Sequence, residues 1–268
     1  MKKAHIYFLV LISLVFIPMI VTHCSGDGKD SSNGLSELPE YQGWTKYTYR
    51  SFVFHYRRDA SWREQMYQIA EAFQNALAAD CEFFGKSLPE ETIHLFIYNT
   101  PKEADALLGK DTPYIVGNQI HWERISTAHG APIMMYLLKL WNMDEPKYTL
   151  FYEGMTVLRD YSKRNYHSIV GQFIQEGRYI PIDSLLDNEV YLSYERQRRS
   201  WEAASLIAFM SLNLGPQPML DIWQSDNSFD ENIQSLTGIT LQQFELLWKD
   251  YATNIYIESV NDEIQENN

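Results

Sequence analysis

A histidine and a glutamate, two residue types that bind metal ions in proteins, lie near the middle of the chain. His129 and Glu153 are 24 residues apart, with an apolar run between them. A helix carrying His129, a turn, and a second helix carrying Glu153 would bring both side chains to one point. Imidazole nitrogen and carboxylate oxygen are ligand types that zinc takes in proteins. The two residues are therefore candidate members of one site.

Each of these residues also has a purely structural interpretation. His129 can be a histidine at a helix start that bonds to backbone, and Glu153 can cap a helix or pair with an arginine. Asp160 follows Glu153 by seven residues, and a Glu/Asp pair can do acid–base work in a glycosidase. Two acids two turns apart, roughly 10 Å by helix rise, are more often a polar face. His55 and His94 fall on predicted strands and are expected to be surface or core residues.

The N-terminal half of the chain carries the strand patterns. Residues 47–56 alternate, with Phe52, Phe54 and Tyr56 on one side, and residues 92–98 form a second apolar run. Gly117-Asn118 separates two short apolar runs, which predicts a tight hairpin. Helices are predicted from the possible capping boxes at Ser61-Trp62-Arg63-Glu64 and Thr100-Pro101-Lys102-Glu103. The first of these helices carries an apolar stripe of Trp62, Met66, Ile69, Phe73, Leu77, Cys81 and Phe84.

Helical patterns follow from about residue 125 onward. Gly130 and Pro132 disfavour a helix interior, so the helix either begins near Ala131 with Pro132 in its first turn or is kinked there. The helix carrying Glu153 is predicted over residues 144–162. Later helices are predicted at 200–214, before Gly215, and after two further capping boxes. The fold class is therefore α+β, with a small sheet of three to five strands within residues 45–123 and an all-helical half after it.

The N-terminus resembles a bacterial lipoprotein signal. Lys2 and Lys3 precede an apolar stretch of 16 residues at positions 6–21, which is too short for a comfortable membrane span. Cys24 follows, and in such signals the cysteine is acylated, for example with palmitate, and becomes the mature N-terminus. His23 departs from the usual small residue before the cysteine, and a simple secretory signal or a short anchor is the alternative. Residues 1–23 are thus predicted to be a signal peptide and 24–45 a flexible tether.

Charge and cysteine content exclude several classes of protein. Removal of residues 1–23 leaves 20 basic and 35 acidic residues, net −15. This charge argues against nucleic acid as a partner and against electrostatic docking on anionic lipid, so membrane attachment would come from acyl chains on Cys24. The other cysteine, Cys81, lies on the apolar stripe and is expected in the core. With Cys24 acylated, no intrachain disulfide is possible.

The order of elements over roughly residues 46–255 resembles the peptidase MA-like domain of the gluzincin metallopeptidases. One local pattern looks like the family's W-x-x-E-G segment: Phe151-Tyr152-Glu153-Gly154-Met155. A second is similar to its L-P-L-x-x-L segment: Ile180-Pro181-Ile182-Asp183-Ser184-Leu185. The segments 200–215 and 229–248 resemble its C-terminal helices. The resemblance implies a gluzincin-like fold, in which a small mixed sheet with an edge hairpin precedes a mostly helical half.

The resemblance also assigns roles to residues, and the sequence departs from the family at the site itself. His129 and Glu153 match the first and third zinc ligands of the family, whose first helix bears H-E-x-x-H. Gly130 stands in place of the general-base glutamate, and Ile133 in place of the second histidine. Two ligands do not usually hold zinc tightly enough for catalysis, and His121, as a replacement ligand, is not expected to reach. The expectation is a vestigial site with no metal and no catalytic residue.

The resemblance implies a binding cleft in place of an active site. In the family, an edge strand precedes the metal-binding helix and pairs with the backbone of the substrate. The corresponding residues in this sequence are Gln119, Ile120, His121 and Trp122. The expected protein is an envelope lipoprotein, in the outer membrane and periplasmic or surface-exposed, whose domain at 46–257 binds a peptide, protein or glycan. An acidic tail, 258–268, is expected to fray. The alternatives are an active zinc-dependent hydrolase with altered ligands and a structural component with an empty cleft.

Overall fold

Five strands form one mixed sheet in the computed structural model, which describes residues 38–110, 112–123, 129–143 and 145–266. The strands are β1 (Trp44–Tyr49), β2 (Phe52–Arg57), β3 (Ile93–Ile97), β4 (Tyr114–Val116) and β5 (Gln119–Trp122). Their order across the sheet is β1-β2-β3-β5-β4. The two outer pairs are antiparallel, and the pairs β2–β3 and β3–β5 are parallel. The predicted sheet of three to five strands is confirmed, as is the hairpin at Gly117-Asn118.

Helices make up most of the rest of the described chain. Two lie among the strands: α1 (Met66–Phe83) and α2 (Pro101–Leu108). Nine follow the sheet: α3 (Gly130–Leu140), α4 (Thr149–Leu158), α5 (Tyr166–Gln175), α6 (Ile182–Leu186), α7 (Asn188–Ser193), α8 (Arg196–Leu214), α9 (Pro216–Gln224), α10 (Phe229–Thr237) and α11 (Leu241–Glu266). The described residues therefore form an α+β fold, as predicted, with the strands first and a helical half after them.

One face of the sheet packs on helices α1 and α3. Phe54 of β2 and Leu95 of β3 lie in one core with Phe73 of α1 and Ile133 of α3. The predicted apolar stripe of α1 faces this core, with every member from Met66 to Phe84 buried and Trp62 half-buried. Cys81 is buried as predicted, and burial raises the pKa of its thiol to about 11. The site region is thus built on helices that the sheet holds in place.

Two local predictions in the N-terminal half are wrong. Residues 47–56 are not one strand but the two arms of the β1–β2 hairpin, joined at Arg50, whose φ of 49° lies in the left-handed region. The turn carries no glycine or asparagine, so the alternating pattern continues through it. The capping box at Ser61 does not form, because a 3-10 turn at Arg63–Gln65 precedes α1, which begins only at Met66.

The strand predicted to lie at the sheet edge is internal. Gln119, Ile120, His121 and Trp122 of β5 are all paired with β3, the first three are also paired with β4, and all four are buried. The hairpin places β4 outside β5, so the open edge on this side belongs to Tyr114–Val116. The backbone of residues 119–122 is therefore already paired and cannot receive an extended ligand.

The two helices around the candidate site differ from their predicted bounds. Helix α3 begins at Gly130 with Pro132 in its first turn, which is one of the two alternatives above. Helix α4 spans Thr149–Leu158, shorter than the predicted 144–162 at both ends. Asp160 consequently lies two residues beyond α4 and does not share a helical face with Glu153. Asp144, predicted to start this helix, lies outside the described residues.

Regular elements extend beyond both predicted ends of the domain. The domain was predicted to start at residue 46, but β1 begins at Trp44 and the Tyr41 ring lies 4.9 Å from the Trp44 ring. The predicted fraying tail at 258–268 is helical through Glu266. The predicted signal peptide, Cys24 and most of the tether lie outside the described residues. No helix in the described part of the chain is long and apolar enough to cross a membrane.

Close helix contacts hold the helical half together. A Cβ on Gly154 of α4 would lie 2.8 Å from the backbone oxygen of Ala203 in α8, so these two helices meet backbone to backbone. Helix α5 approaches α11 in the same way, because a Cβ on Gly171 would overlap the backbone oxygen of Ala252. A buried hydrogen bond, 3.0 Å long, runs from Trp248 Nε1 of α11 to the Ser205 hydroxyl of α8. The last helix is therefore an integral part of the fold.

Candidate functional site

The Glu153 carboxylate is held by an arginine and a tyrosine. Arg199 Nη2 donates to Glu153 Oε1 at 2.9 Å, and Arg199 Nε donates to Oε2 at 3.1 Å. The Tyr191 hydroxyl donates to Oε2 at 2.9 Å. Such a two-point arginine–carboxylate pair is among the stronger hydrogen-bonded contacts in proteins. The arginine partner that the sequence offered as an alternative is thus present, and it ties α4 to α8.

The His129 ring lies between aromatic side chains at the start of α3. It stacks on the Tyr161 ring, with centroids 5.8 Å apart and planes 12° from parallel, and it is tilted against Phe73 at 5.8 Å. Burial lowers the pKa of His129, and the nearby Asp160 carboxylate opposes this shift. The imidazole is therefore neutral at neutral pH, with one nitrogen as donor and the other as acceptor.

The structure gives His129 and Glu153 different partners. The start of α3 lies against the far end of α4, where Gly130 meets the backbone oxygen of Arg159. Glu153 stands six residues before Arg159, about 9 Å along a helix axis. The Asp160 carboxylate is the acid whose charge opposes the burial-induced fall in the pKa of His129, whereas Glu153 is paired with Arg199. The predicted meeting of His129 and Glu153 around one point is not seen in these contacts.

The two substituted motif positions are filled by close packing. A Cβ at Gly130 would overlap the Arg159 backbone oxygen and would lie 2.8 Å from Cε2 of Tyr161. Ile133, one turn later, is fully buried in the main core. Gly130 has no room for a side chain unless the surrounding backbone shifts, and the Ile133 position is already filled by a buried apolar side chain.

A buried network that the sequence did not indicate adjoins His129. Asp80 of α1 is fully buried, and its Oδ1 accepts from Arg159 Nε at 2.6 Å and from the Tyr161 hydroxyl at 2.9 Å. Arg159 Nη2 donates to the same hydroxyl at 2.8 Å. Burial raises the pKa of Asp80, and the arginine opposes that rise. The available signal was an acid beside the apolar stripe of α1, but its partners lie about 80 residues away in sequence.

Removal of the arginine from this network should destabilise the protein strongly. The variant Arg159→Met leaves the Asp80 carboxylate buried without a cation, which typically costs about 3 kcal/mol or more. The double variant Asp80→Asn/Arg159→Met should recover part of the loss, because no ion then remains unpaired. Urea unfolding of both variants measures the difference. Equal stability of Arg159→Met and the parent protein would contradict the assigned role.

An open cavity of about 390 Å³ lies beside His129. Its wall comes mainly from the segment that joins α4 to α5. Its lining residues are His129, Leu158, Asp160, Tyr161, Ser162, Lys163, Arg164 and Tyr166. Asp160 organises this segment, because its carboxylate accepts from Ser162 N at 2.7 Å and from the Tyr166 hydroxyl at 3.0 Å. Hydrogen bonds of the Asp160 carboxylate therefore fix part of the cavity wall.

The other face of the sheet carries a row of stacked rings. His55, Phe96 and His121 are cross-strand neighbours on β2, β3 and β5, with centroid separations of 4.1 and 4.7 Å and planes nearly parallel. His55 Nε2 lies 3.0 Å from His94 Nδ1, and His121 Nδ1 lies 2.8 Å from the Tyr98 hydroxyl. Burial lowers the pKa of both His55 and His121 to about 4. His121 is thus engaged on an internal strand, away from the position of a replacement ligand.

Comparison with known proteins adds no relative. No family model matches the sequence, and no curated protein matches it. Among the described residues, no group of three or more His, Cys, Asp or Glu side chains is arranged to hold a metal ion. The site must therefore be interpreted from its own geometry.

Proposed function

We propose that the protein is a membrane-anchored lipoprotein of the bacterial envelope whose domain is a catalytically degenerate relative of the gluzincin peptidases. In this proposal the domain binds a peptide, protein or glycan in the cleft beside His129. The proposal draws on the order of elements, in which a sheet with a hairpin precedes a helix led by His129 and a helix carrying Glu153. The fold class alone is shared by unrelated proteins, so the site has to carry the functional conclusion.

The observation that carries the proposal is the packing at Gly130. The family's reaction needs a glutamate beside the first histidine ligand to take a proton from zinc-bound water. Here a Cβ at that position would overlap the backbone oxygen of Arg159. Loss of general-base catalysis alone typically lowers a rate by a factor of about 10² to 10⁴. The Glu153–Arg199 pair works in the same direction, because metal binding would have to displace the guanidinium.

Metal analysis of the purified protein tests the degenerate site. We expect no stoichiometric zinc and no peptide hydrolysis that a chelator abolishes, because the base and the second ligand are absent. The variant His129→Ala should leave both results unchanged, and Arg199→Gln serves as a control that frees the Glu153 carboxylate. About one zinc per chain that disappears in His129→Ala, together with proteolysis that disappears with it, would establish the altered-ligand hydrolase instead.

Membrane attachment is tested separately at the proposed lipidation site. In Cys24→Ser the acyl chains have no attachment point, so the protein should leave the membrane fraction or remain unprocessed. Cys81→Ser is the matched control, because Cys81 is buried in the core and has no part in attachment. Fractionation and the mass of the mature protein give the result. Unchanged partition and mass in Cys24→Ser would remove the lipoprotein part of the proposal.

A further inference from the structure

We infer that the cavity beside His129 binds a small ligand through its carboxylate group. This inference rests on the proposed function, because it names the ligand class of the same cleft. The volume of about 390 Å³ lies near the lower end of the range for small-molecule pockets, and it suits one sugar or one or two amino acids. The charge of the cavity points to an anionic ligand, while the geometry of its wall and the neutral His129 ring point to a fixed site with a further polar contact.

The charge of the cavity is opposite to that of the chain. The whole sequence has a net charge of −13, yet the cavity is lined by two cations, Lys163 and Arg164, and one carboxylate, Asp160. Lys163 is exposed and takes part in none of the ion pairs found among the described residues. Arg164 Nη1 stands 3.8 Å from Asp160 Oδ2, beyond hydrogen-bonding distance. An entering carboxylate would therefore meet one cation that is weakly engaged and one that forms no ion pair with a described residue.

The wall that presents these cations is held in an unusual conformation. Tyr161 and Lys163 have φ angles of 58° and 62°, in the left-handed region that residues with side chains rarely adopt. The Tyr161 hydroxyl is fixed by Asp80 and Arg159, and buried Asp160 fixes the turn from inside. Strained residues held in this way by their surroundings cluster at ligand sites. A wall fixed before binding also lowers the entropy lost when a ligand is captured.

His129 supplies a second kind of contact. Its ring contacts are with Phe73 and Tyr161, and its nitrogens make no hydrogen bond with any residue that the structure describes. A neutral imidazole at the cavity wall can donate to, or accept from, a hydroxyl or amide group next to the ligand carboxylate. Two sources share this chemistry, namely the free C-terminal end of a peptide and an acidic sugar. The neutral amide or alcohol that corresponds to each should bind less well.

Titration calorimetry on the full-length purified protein in detergent tests the inference. The probes are alanyl-alanine and its C-terminal amide for the peptide source, and glucuronate and glucose for the sugar source. We expect at least one carboxylate probe to bind at concentrations up to about 10 mM, and its neutral counterpart to bind roughly tenfold more weakly. Lys163→Gln should weaken that binding by about tenfold, because a charge-assisted hydrogen bond is lost. Lys102→Gln, an exposed lysine on α2, should leave it unchanged.

Each outcome decides one statement. Binding of neither carboxylate probe, or equal binding of a carboxylate and its neutral counterpart, overturns the inference. Equal effects of Lys163→Gln and Lys102→Gln overturn the assignment to this cavity, whereas the identity of the probe that binds distinguishes peptide from sugar. The proposed function fails on a different result, which is stoichiometric zinc with chelator-sensitive hydrolysis. A protein without zinc and without carboxylate binding would therefore contradict the inference alone.

Discussion

The double variant Gly130→Glu/Ile133→His, which restores the peptidase motif, is expected to unfold the protein and to bind no zinc. The glutamate would have to place its Cβ in the space of the Arg159 backbone oxygen and against the Tyr161 ring. The histidine would replace a fully buried isoleucine in the core. Overpacking typically costs about 1 to 3 kcal/mol, and burial of an unpaired polar group costs a similar amount. Their sum, about 2 to 6 kcal/mol, approaches the whole stability of a marginal domain.

Circular dichroism and urea unfolding of the single and double variants measure this effect. Gly109→Ala is the matched control, because Gly109 has a φ of 63° but open space around its Cβ position. In Gly109→Ala the unfolding free energy should fall by about 1 kcal/mol, which is the cost of placing alanine in the left-handed region. In Gly130→Ala the unfolding free energy should fall clearly more, because the new Cβ would overlap a backbone oxygen, which cannot move aside as a side chain can. A double variant that stays folded and holds zinc would show that the site is intact apart from two side chains.

Acidification from pH 7 to pH 4.5 is expected to lower the unfolding free energy by about 5 kcal/mol in total. His55, His121 and His167 each have a folded-state pKa lowered to about 4 by burial, against 6.5 in the unfolded chain. The folded state therefore favours the neutral ring, and this stability is fully present above pH 6.5 and is lost as the pH falls toward 4. Lys46 and His94 lie near His55, and their positive charges repel a protonated His55 ring, which lowers its pKa further.

Glu202 acts in the opposite direction. Burial raises the pKa of its carboxyl to about 7, against 4.5 for the ordinary group, although Ile180 N and Arg198 donate to it. Its contribution to stability is fully present below pH 4.5 and is lost as the pH rises through 7. During acidification it therefore offsets the loss of unfolding free energy that about one histidine causes. Urea unfolding at pH 7 and pH 4.5 should thus show a smaller loss in His55→Phe and a larger loss in Glu202→Gln. A flat dependence in the parent protein would contradict these protonation states.

Local patterns predicted the elements well, but they did not predict what pairs with what. The alternation of β3, the N-cap at Thr100 and the stripe of α1 each depend on residues a few positions apart, and the structure contains all three. The second half of the predicted capping box does not form, because Glu103 accepts from Asn99 N and not from Thr100 N. The β1–β2 turn was missed because Arg50 takes a left-handed conformation without the glycine or asparagine that usually marks one. The edge assignment failed because strand order depends on which hairpin arm meets β3, and residue spacing carries no such information.

The site shows the same limit more clearly. His129, Gly130 and Ile133 were found because a short motif relates them, and Glu153 because it follows in a family-like order. The partners that determine what these residues do lie far away in sequence: Arg199 is 46 positions from Glu153, and Asp80 is 79 from Arg159. The Arg199 guanidinium that pairs with Glu153 and the Arg159 carbonyl that fills the space beside Gly130 reach these positions only when the helices pack together.

The position of α11 has a consequence for folding during synthesis. Helix α5 requires the backbone of Ala252 against Gly171, and Ser205 of α8 requires the Trp248 indole, so the last helix completes contacts begun some 40 to 80 residues earlier. A ribosome that has made only the first 240 residues therefore holds a chain whose helical half still lacks one wall. The helical half can therefore complete its packing only after α11 has been synthesised and has left the ribosome.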